Sequence, residues 1–250
     1  GISVPEAYGG AGMGALATAV VIEEIARQDG SLALTVASHN GLGTAHLLGF
    51  GSEAQKRRYL PALASGERLA AWGLTEPGSG SDAAGMATTA VRRGAGWVLN
   101  GTKTFITQGT VGEVFVVLAK TDPARKQHGI TAFVLEKGAQ GFTQRAIHGK
   151  LGMRSSDTAE LHLEDVELPD EARVGEVNEG FTNTLQILAR GRISIGALAL
   201  GLARGALEEA RGYARERKAF GRPIAEHQAI GLAVRDAGTF AQVAEAAKSA

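Results

Sequence analysis

The 250-residue chain contains no cysteine, which excludes disulfides, thiolate metal sites and thiol nucleophiles together. This fits a reducing compartment, and a cytoplasmic location is the expectation. Aromatic residues make up only 5%, so a core has to rest on Leu, Val, Ile and Ala. Excess charge is missing too: 26 basic residues balance 26 acidic ones. A neutral chain offers no general attraction for nucleic acid or an anionic bilayer. No apolar run approaches the ~20 residues of a membrane span, and no basic-then-apolar leader opens the text. The chain starts Gly1-Ile2-Ser3-Val4-Pro5 rather than with Met, and both ends read as cuts.

What is present is ordinary globular material, 44% hydrophobic and 21% charged, enough for a sizeable core. Three blocks follow one another. Residues 1–68 read as a helical domain. Ala15 to Gln28 carries Leu16, Ala19, Val20, Ile22, Ile25 and Ala26 close to one stripe. Leu32 to Leu48 is a more uniformly apolar helix, expected to be buried. Ser52-Glu53-Ala54-Gln55 is a capping-box signature for a third, and Pro61 is expected to limit it.

Residues 69–168 change period. Trp97–Leu99, Lys103–Thr107, Val114–Leu118, Thr131–Leu135 and Glu160–Leu163 are short β-type runs. Asn100-Gly101 between two of them predicts a hairpin turn. Short strands without intervening helices favour a β-barrel or sandwich. Residues 169–250 are helical again. Phe181 to Arg217 reads as one very long helix despite Gly191, Gly196, Gly201, Gly205 and Gly212. Each glycine costs ~1 kcal/mol there, so several together point to close helix contact. Gly221-Arg222-Pro223 predicts a turn, and Ala225 to Ala250 a further helix. The fold class is therefore α+β multidomain: a helical N-terminal domain, a middle β-barrel or sandwich domain, and a C-terminal helical bundle.

Two tempting motifs fail. Gly78-Ser79-Gly80-Ser81-Asp82-Ala83-Ala84-Gly85 has Ala83 where a dinucleotide fingerprint needs its third glycine, and it lacks the strand–helix–strand setting. The six histidines (His39, His46, His128, His148, His162 and His227) are scattered without ligand spacing. Surface or hydrogen-bonded structural roles suit them better. Lys56-Arg57-Arg58 reads as a solvated helix face.

Five ordered motifs carry a resemblance. Trp72-Gly73-Leu74-Thr75-Glu76-Pro77-Gly78-Ser79-Gly80-Ser81-Asp82 resembles the signature of the acyl-CoA dehydrogenase family. Asn100-Gly101-Thr102-Lys103-Thr104-Phe105-Ile106-Thr107 is similar to the family's hairpin beside the flavin. Leu151 to Thr158 resembles its later β segment. Gly191-Arg192-Ile193, and Arg217-Lys218-Ala219-Phe220-Gly221 with His227-Gln228, match its C-terminal helices in order and spacing. The similarity runs from Pro5 to the end, and the family's helical–β–helical fold agrees with the three blocks.

The resemblance implies FAD between the β domain and the C-terminal helices, in a homo-oligomer (dimer or tetramer) whose subunits complete each other's sites. Trp72, Leu74 and Thr75 would line the flavin, with Thr75 offering its hydroxyl. Ser81, with Gly80 beside it, would meet the cofactor pyrophosphate and border the acyl-CoA path. Phe105 and Thr107, flanking Ile106, would cover another face of the ring. Arg217, Phe220, His227 and Gln228 would reach the FAD of a neighbouring subunit, a guanidinium being well suited to phosphate. Arg192 matches an arginine near substrate.

The implied activity is α,β-dehydrogenation of an acyl-CoA to a trans-2-enoyl-CoA, as in fatty acid metabolism, with hydride passing to flavin N5 and electrons on to an electron-transfer flavoprotein. A carboxylate must remove the α-proton, and the thioester carbonyl needs hydrogen bonds. One branch of the family places that Glu immediately before the arginine matched by Arg192, where this chain has Gly191. In the other branch, short- and branched-chain-like, it lies far downstream, beyond Ala250. Glu76 and Asp82, inside the flavin motif, read as structural, so no catalytic residue is expected within the 250. Ala219 and Ala189 depart from the family pattern near cofactor and substrate. With the bundle incomplete, Phe240 and Val243 would lose apolar partners. Two rivals are a flavin monooxygenase or oxidase on the same scaffold and a DNA-associated relative, the latter disfavoured by the neutral charge.

Overall fold

The strand β4 (Val114–Lys120) shows how the middle of the molecule is built. Its residues Val114, Val116 and Leu118 enter one apolar cluster, while Phe115, Val117 and Ala119 enter another. Both faces are buried, so the strand is a continuous apolar run rather than an alternating one. The computed structural model describes the backbone of residues 1–246 and the side chains of residues 1–239.

Around β4 lie β1 (Ala70–Gly73), β2 (Thr89–Arg93), β3 (Gly96–Thr107), β5 (Ile130–Glu136), β6 (Phe142–Ala146), β7 (Thr158–Pro169) and β8 (Arg173–Val174). They form one sheet in the order β6-β7-β3-β2-β4-β5-β8, with β1 added parallel to β4. The sheet curls on itself. Phe115 of β4 meets Phe142 of β6 edge-on, ring centroids 4.8 Å apart, although the strands are not neighbours. Trp97 on β3 meets Phe133 on β5 in the same way at 5.5 Å.

The expected hairpin turn at Asn100-Gly101 is not there. Both residues lie inside β3, and the turn from β2 is Gly94-Ala95, with Arg93 paired to Gly96 and Gly94 at φ 58°. At Asn100-Gly101 the partner strand β7 bulges instead, with Asp165 at φ 50° and its N–H donating to the Asn100 side chain at 2.8 Å. Glycine is required at 101 for another reason: at φ 152°, a Cβ would lie 2.4 Å from Thr88 Oγ1.

One face of the sheet is covered by helices α3 (Thr44–Phe50), α4 (Glu53–Ser65) and the start of the 37-residue α5 (Gly180–Glu216), while α1 (Ala15–Gln28) and α2 (Gly30–Ser38) pack with the middle of α5 in a separate apolar cluster. Leu16 and Val20 of the predicted stripe on α1 are exposed. The buried face centres on Ile22, Glu23 and Ala26, where Arg204 of α5 reaches Glu23 at 2.5 Å. The apolar stretch Leu32 to Leu48 is helical throughout but interrupted by a π turn, His39–Gly43. There His39 stitches helix to sheet, its Nδ1 accepting from Ala70 N and its Nε2 donating to the Leu63 carbonyl.

The Ser52 capping box forms as expected, but Pro61 does not limit α4. The helix runs on to Ser65 and closes at Gly66, φ 79°. A proline forfeits only the bond to the carbonyl four residues back, that of the exposed Arg57.

Of the five glycines singled out within α5, two explain themselves. A Cβ at Gly201 or Gly205 would lie 2.2 Å from the carbonyl oxygen of Glu23 or Arg27, so α1 lies almost backbone to backbone on α5. Gly196 and Gly212 face open space. An 18-residue window of α5 is apolar enough, by length and composition, to cross a membrane, which the sequence reading did not detect. Beyond α5 a small hairpin, β9 (Lys218–Ala219) and β10 (Arg222–Pro223), turns through Phe220 and Gly221 into α6 (Gln228–Ala246). Phe240 and Val243, expected to lose bundle partners, lie outside the described side chains.

Candidate active site

The segment leaving β1 is held in place by its own backbone. Glu76 and Ser79 exchange two hydrogen bonds, at 2.9 and 3.1 Å, closing the Pro77-Gly78 turn, and Ser79 Oγ donates to the Asp82 carbonyl. The Glu76 carboxylate turns inward. It accepts from Ala87 N and Thr88 N and from Lys103 Nζ at 2.7 Å. Burial alone would raise its pKa, but Lys103 and the two N–H donors hold it below the usual carboxylate range. With those bonds made, Glu76 is committed to the scaffold.

Trp72 and Leu74 send their side chains into the core, each only 7% exposed. The Trp72 indole N–H donates to His46 Nδ1 at 3.2 Å. Burial lowers the His46 pKa from 6.5 to about 4, so the ring is neutral. What this segment offers outward is backbone and the half-buried Thr75, whose hydroxyl has no internal partner among the described residues.

β3 runs alongside. Lys103 pairs with Leu161 of β7 and Ile106 with Ala159, so β3 carries one extra residue between them. Such a bulge re-aims a side chain, and here that side chain is Phe105. It sits at φ 57° and is 67% exposed between buried Thr104 and Ile106. A non-glycine residue held in that region costs about 1–3 kcal/mol and marks functional sites. The N–H of Thr104 donates to the Thr75 carbonyl at 2.9 Å, which brings Phe105 and Thr75 together.

Thr107, two residues on, lines a cavity of about 460 Å³ between the π turn and α5. Leu34, Leu42, Leu188 and Ile195 make it apolar, while Ser38, Thr107, Arg192 and Ser194 bring polar groups to it. Gly191 is on the wall, and a Cβ there would meet only Leu42, at 3.8 Å. None of the lining residues is a carboxylate. A larger cavity of about 610 Å³ opens between α4 and the β5–β8 edge. Most of its charges are paired, Arg58 with Glu136 and Arg173 with Asp170 and Glu176, and it is lined by six charged residues. The smaller, mainly apolar one beside Thr107 is the candidate site.

The remaining predicted residues stand apart. Gly80 and Ser81 are exposed on the loop after the turn. Arg217 and Gln228 are exposed at the β9–β10 hairpin, and Phe220 at its tip is 95% exposed at φ 52°. The Phe220 ring meets His227 edge-on at 5.8 Å, and His227 Nε2 donates to the Ala219 carbonyl. Among the described residues no hydrogen bond, ion pair or ring contact joins this hairpin to the Thr75–Thr107 group.

Three models of one family lie end to end along the chain: acyl-CoA dehydrogenase, N-terminal domain, on residues 1–67; the middle domain on 71–166; and the C-terminal domain on 178–248. The chain belongs to the acyl-CoA dehydrogenase family. An acyl-CoA dehydrogenase of Bacillus subtilis is 43% identical over 98% of the chain and 64% of its own length. A caffeyl-CoA reductase–Etf complex subunit of Acetobacterium woodii is 40% identical over 98% of the chain and 65% of its own. The solved butyryl-CoA dehydrogenase of Megasphaera elsdenii superposes with a TM-score of 0.94 at 37% identity, covering 99% of this chain and 66% of that one. The chain thus spans a little under two thirds of the length of these curated relatives. The family's order of helical, β and helical parts agrees with the expected fold class.

Sequence reasoning missed the buried Lys103, the π turn and the Trp72–His46 pair. The first had a signal: a lone lysine in an apolar β run, with an unexplained glutamate in the preceding motif. The π turn had none beyond Gly41 and Gly43.

Proposed function

We propose that the protein is an FAD-dependent acyl-CoA dehydrogenase that takes an acyl-CoA thioester to its trans-2-enoyl form. The observation that carries this reading is Phe105, an aromatic ring held exposed and left-handed against Thr75, two residues before the cavity-lining Thr107. A flat aromatic cofactor suits that surface: Phe105 supplies a face, and the Thr75 hydroxyl a hydrogen bond. FAD, when bound, supplies the hydride acceptor, and the protein supplies placement. The open backbone at Gly78 and Gly80, where a Cβ would meet nothing within 4 Å, leaves the Ser81 loop free to approach a pyrophosphate.

The apolar cavity would take the acyl chain, with Arg192 and Ser194 as its polar groups. Arg217, Phe220, His227 and Gln228 would serve the FAD of a neighbouring subunit in a homo-oligomer, which accounts for their outward presentation. We assign the proton-abstracting carboxylate to a position downstream of Ala250, a reading supported by the absence of a carboxylate among the described residues of the cavity lining. An electron-transfer flavoprotein is the proposed electron acceptor, supported by the Etf-complex relative, and a cytoplasmic setting fits the cysteine-free composition.

The test is to reconstitute the chain with FAD, add butyryl-CoA without oxygen, and follow the visible flavin absorbance. Bound flavin that stays oxidised here, and bleaches in a version extended to the length of the relatives, is the expected result. Bleaching by the 250-residue chain itself would place the base inside it. Failure to bind flavin at either length would overturn the proposal. Oxygen consumption with acyl-CoA as sole substrate would move the assignment to an oxidase.

A further inference from the structure

Lys103 is a lysine with no exposed surface. Its ammonium has three acceptors within reach: Glu76 Oε1 at 2.7 Å, the Leu74 carbonyl at 3.2 Å and Met86 Sδ at 3.9 Å. Three donors meet three acceptors, so the cation is satisfied internally. The strand beside it has been cleared for its stem. A Cβ at Gly73 would lie 3.3 Å from Lys103 Cγ and 3.2 Å from Val117 Cγ2.

The neighbouring residue completes a pattern. Thr104 N holds the Thr75 carbonyl, so two successive residues of β3 grip three successive residues of the loop, Leu74, Thr75 and Glu76. The next residue of β3 is the exposed Phe105. We propose that Lys103 is a positioning residue: it fixes Leu74–Thr75 against Phe105 by holding the Leu74 carbonyl and the Glu76 carboxylate from beneath, and so sets the flavin-facing surface. The assignment of that surface to flavin rests on the function proposed above.

A charge is needed for this, because an apolar side chain holds neither oxygen and a neutral amine holds both weakly. That charge is poised near its limit. Burial pulls the Lys103 pKa down from 10.5 to about 8, against the opposing pull of Glu76. Among the described residues Glu76 is the one titratable group facing it; the strands packed there present Gly73, Val117 and Leu161, and the loop beyond presents Met86. Lys103 is therefore charged below about pH 8 and loses its proton above it, so the clamp slackens as pH rises through that value.

The test compares the wild-type protein with Lys103→Met and with Lys103→Met combined with Glu76→Gln, the double variant leaving no stranded carboxylate. Hydrogen exchange without flavin is read at the amides of Glu76, Ser79 and Thr104. FAD affinity and circular dichroism in the flavin band are read from about pH 6.5 to about pH 9.5. In the double variant the three amides should exchange at least about tenfold faster while β4 and β7 keep their protection, and FAD should bind at least about tenfold more weakly with an altered flavin band. Wild-type affinity should fall through about pH 8 while that of the double variant stays flat. Unchanged amide protection in the double variant overturns the clamp. Lost protection with wild-type FAD affinity and a flat wild-type pH profile overturns its role toward flavin. A wild-type protein that binds no FAD at all sinks the functional reading, and the exchange data then decide the clamp by themselves.

Discussion

Two groups of family motif residues are built in opposite ways. The Trp72–Thr107 group is woven into the molecule: Trp72 bonds His46, Glu76 bonds three donors, and Thr104 bonds Thr75. The Arg217–Gln228 group sits on a two-residue-stranded hairpin with Phe220 almost wholly exposed. Both contain a phenylalanine at positive φ. The first phenylalanine is displayed by a bulge in a strand of the central sheet, the second by a turn tied mainly to its own neighbours. The difference teaches that motif membership says little about where a residue's energy goes: in the first group it supports this fold, and in the second it contributes little to it.

Three measurements would break or sharpen that contrast. Trp72→Ala should be the most damaging, since it removes a core ring and orphans His46; about 3–5 kcal/mol of unfolding free energy should be lost in urea melts. A loss under about 1 kcal/mol would mean that the first group is not structural. Next comes pH. The folded His46 pKa lies near 4, below its ordinary 6.5, so the unfolded chain takes up a proton first as pH falls. Stability from this group is complete above about pH 6.5 and declines towards pH 4, by about 3 kcal/mol at ~1.4 kcal/mol per unit. Urea melts at successive pH values should show that slope, and His46→Gln should flatten it. The smallest effect belongs to Phe220→Ser, where unfolding free energy should move by less than about 0.5 kcal/mol, while sedimentation with FAD present should show weakened self-association. A large stability loss at Phe220 would erase the contrast.

The three-block organisation could be read from period alone because helix and strand repeats differ and each block is long. The Ser52 capping box and the long α5 followed from local chemistry, which the structure leaves intact. Asn100-Gly101 misled because an Asn-Gly pair favours positive φ wherever it occurs, and here a bulged partner strand and the approach of Thr88, not a chain reversal, used that freedom. Pro61 misled because a helix supported by buried Tyr59, Leu60 and Leu63 tolerates one missing bond. At the site, residue types were legible but directions were not. Nothing local tells that Trp72 turns inward while Phe105 turns outward, since both follow from pairings with β4 and β7, distant in sequence.

The packing of α1 against α5 also bears on how the protein is made. Arg27 pairs with Glu208 and Glu23 with Arg204, and each pair is separated by 181 residues of chain. At about 5–20 residues per second, a ribosome needs roughly 10–40 s to reach the second helix after finishing the first. During that interval the whole β domain can emerge and close, while Ile22 and Ala26 have no α5 to cover them. Helix α1 is therefore made long before the helix that covers it, so shielding its apolar face is the natural task for a chaperone on the nascent chain.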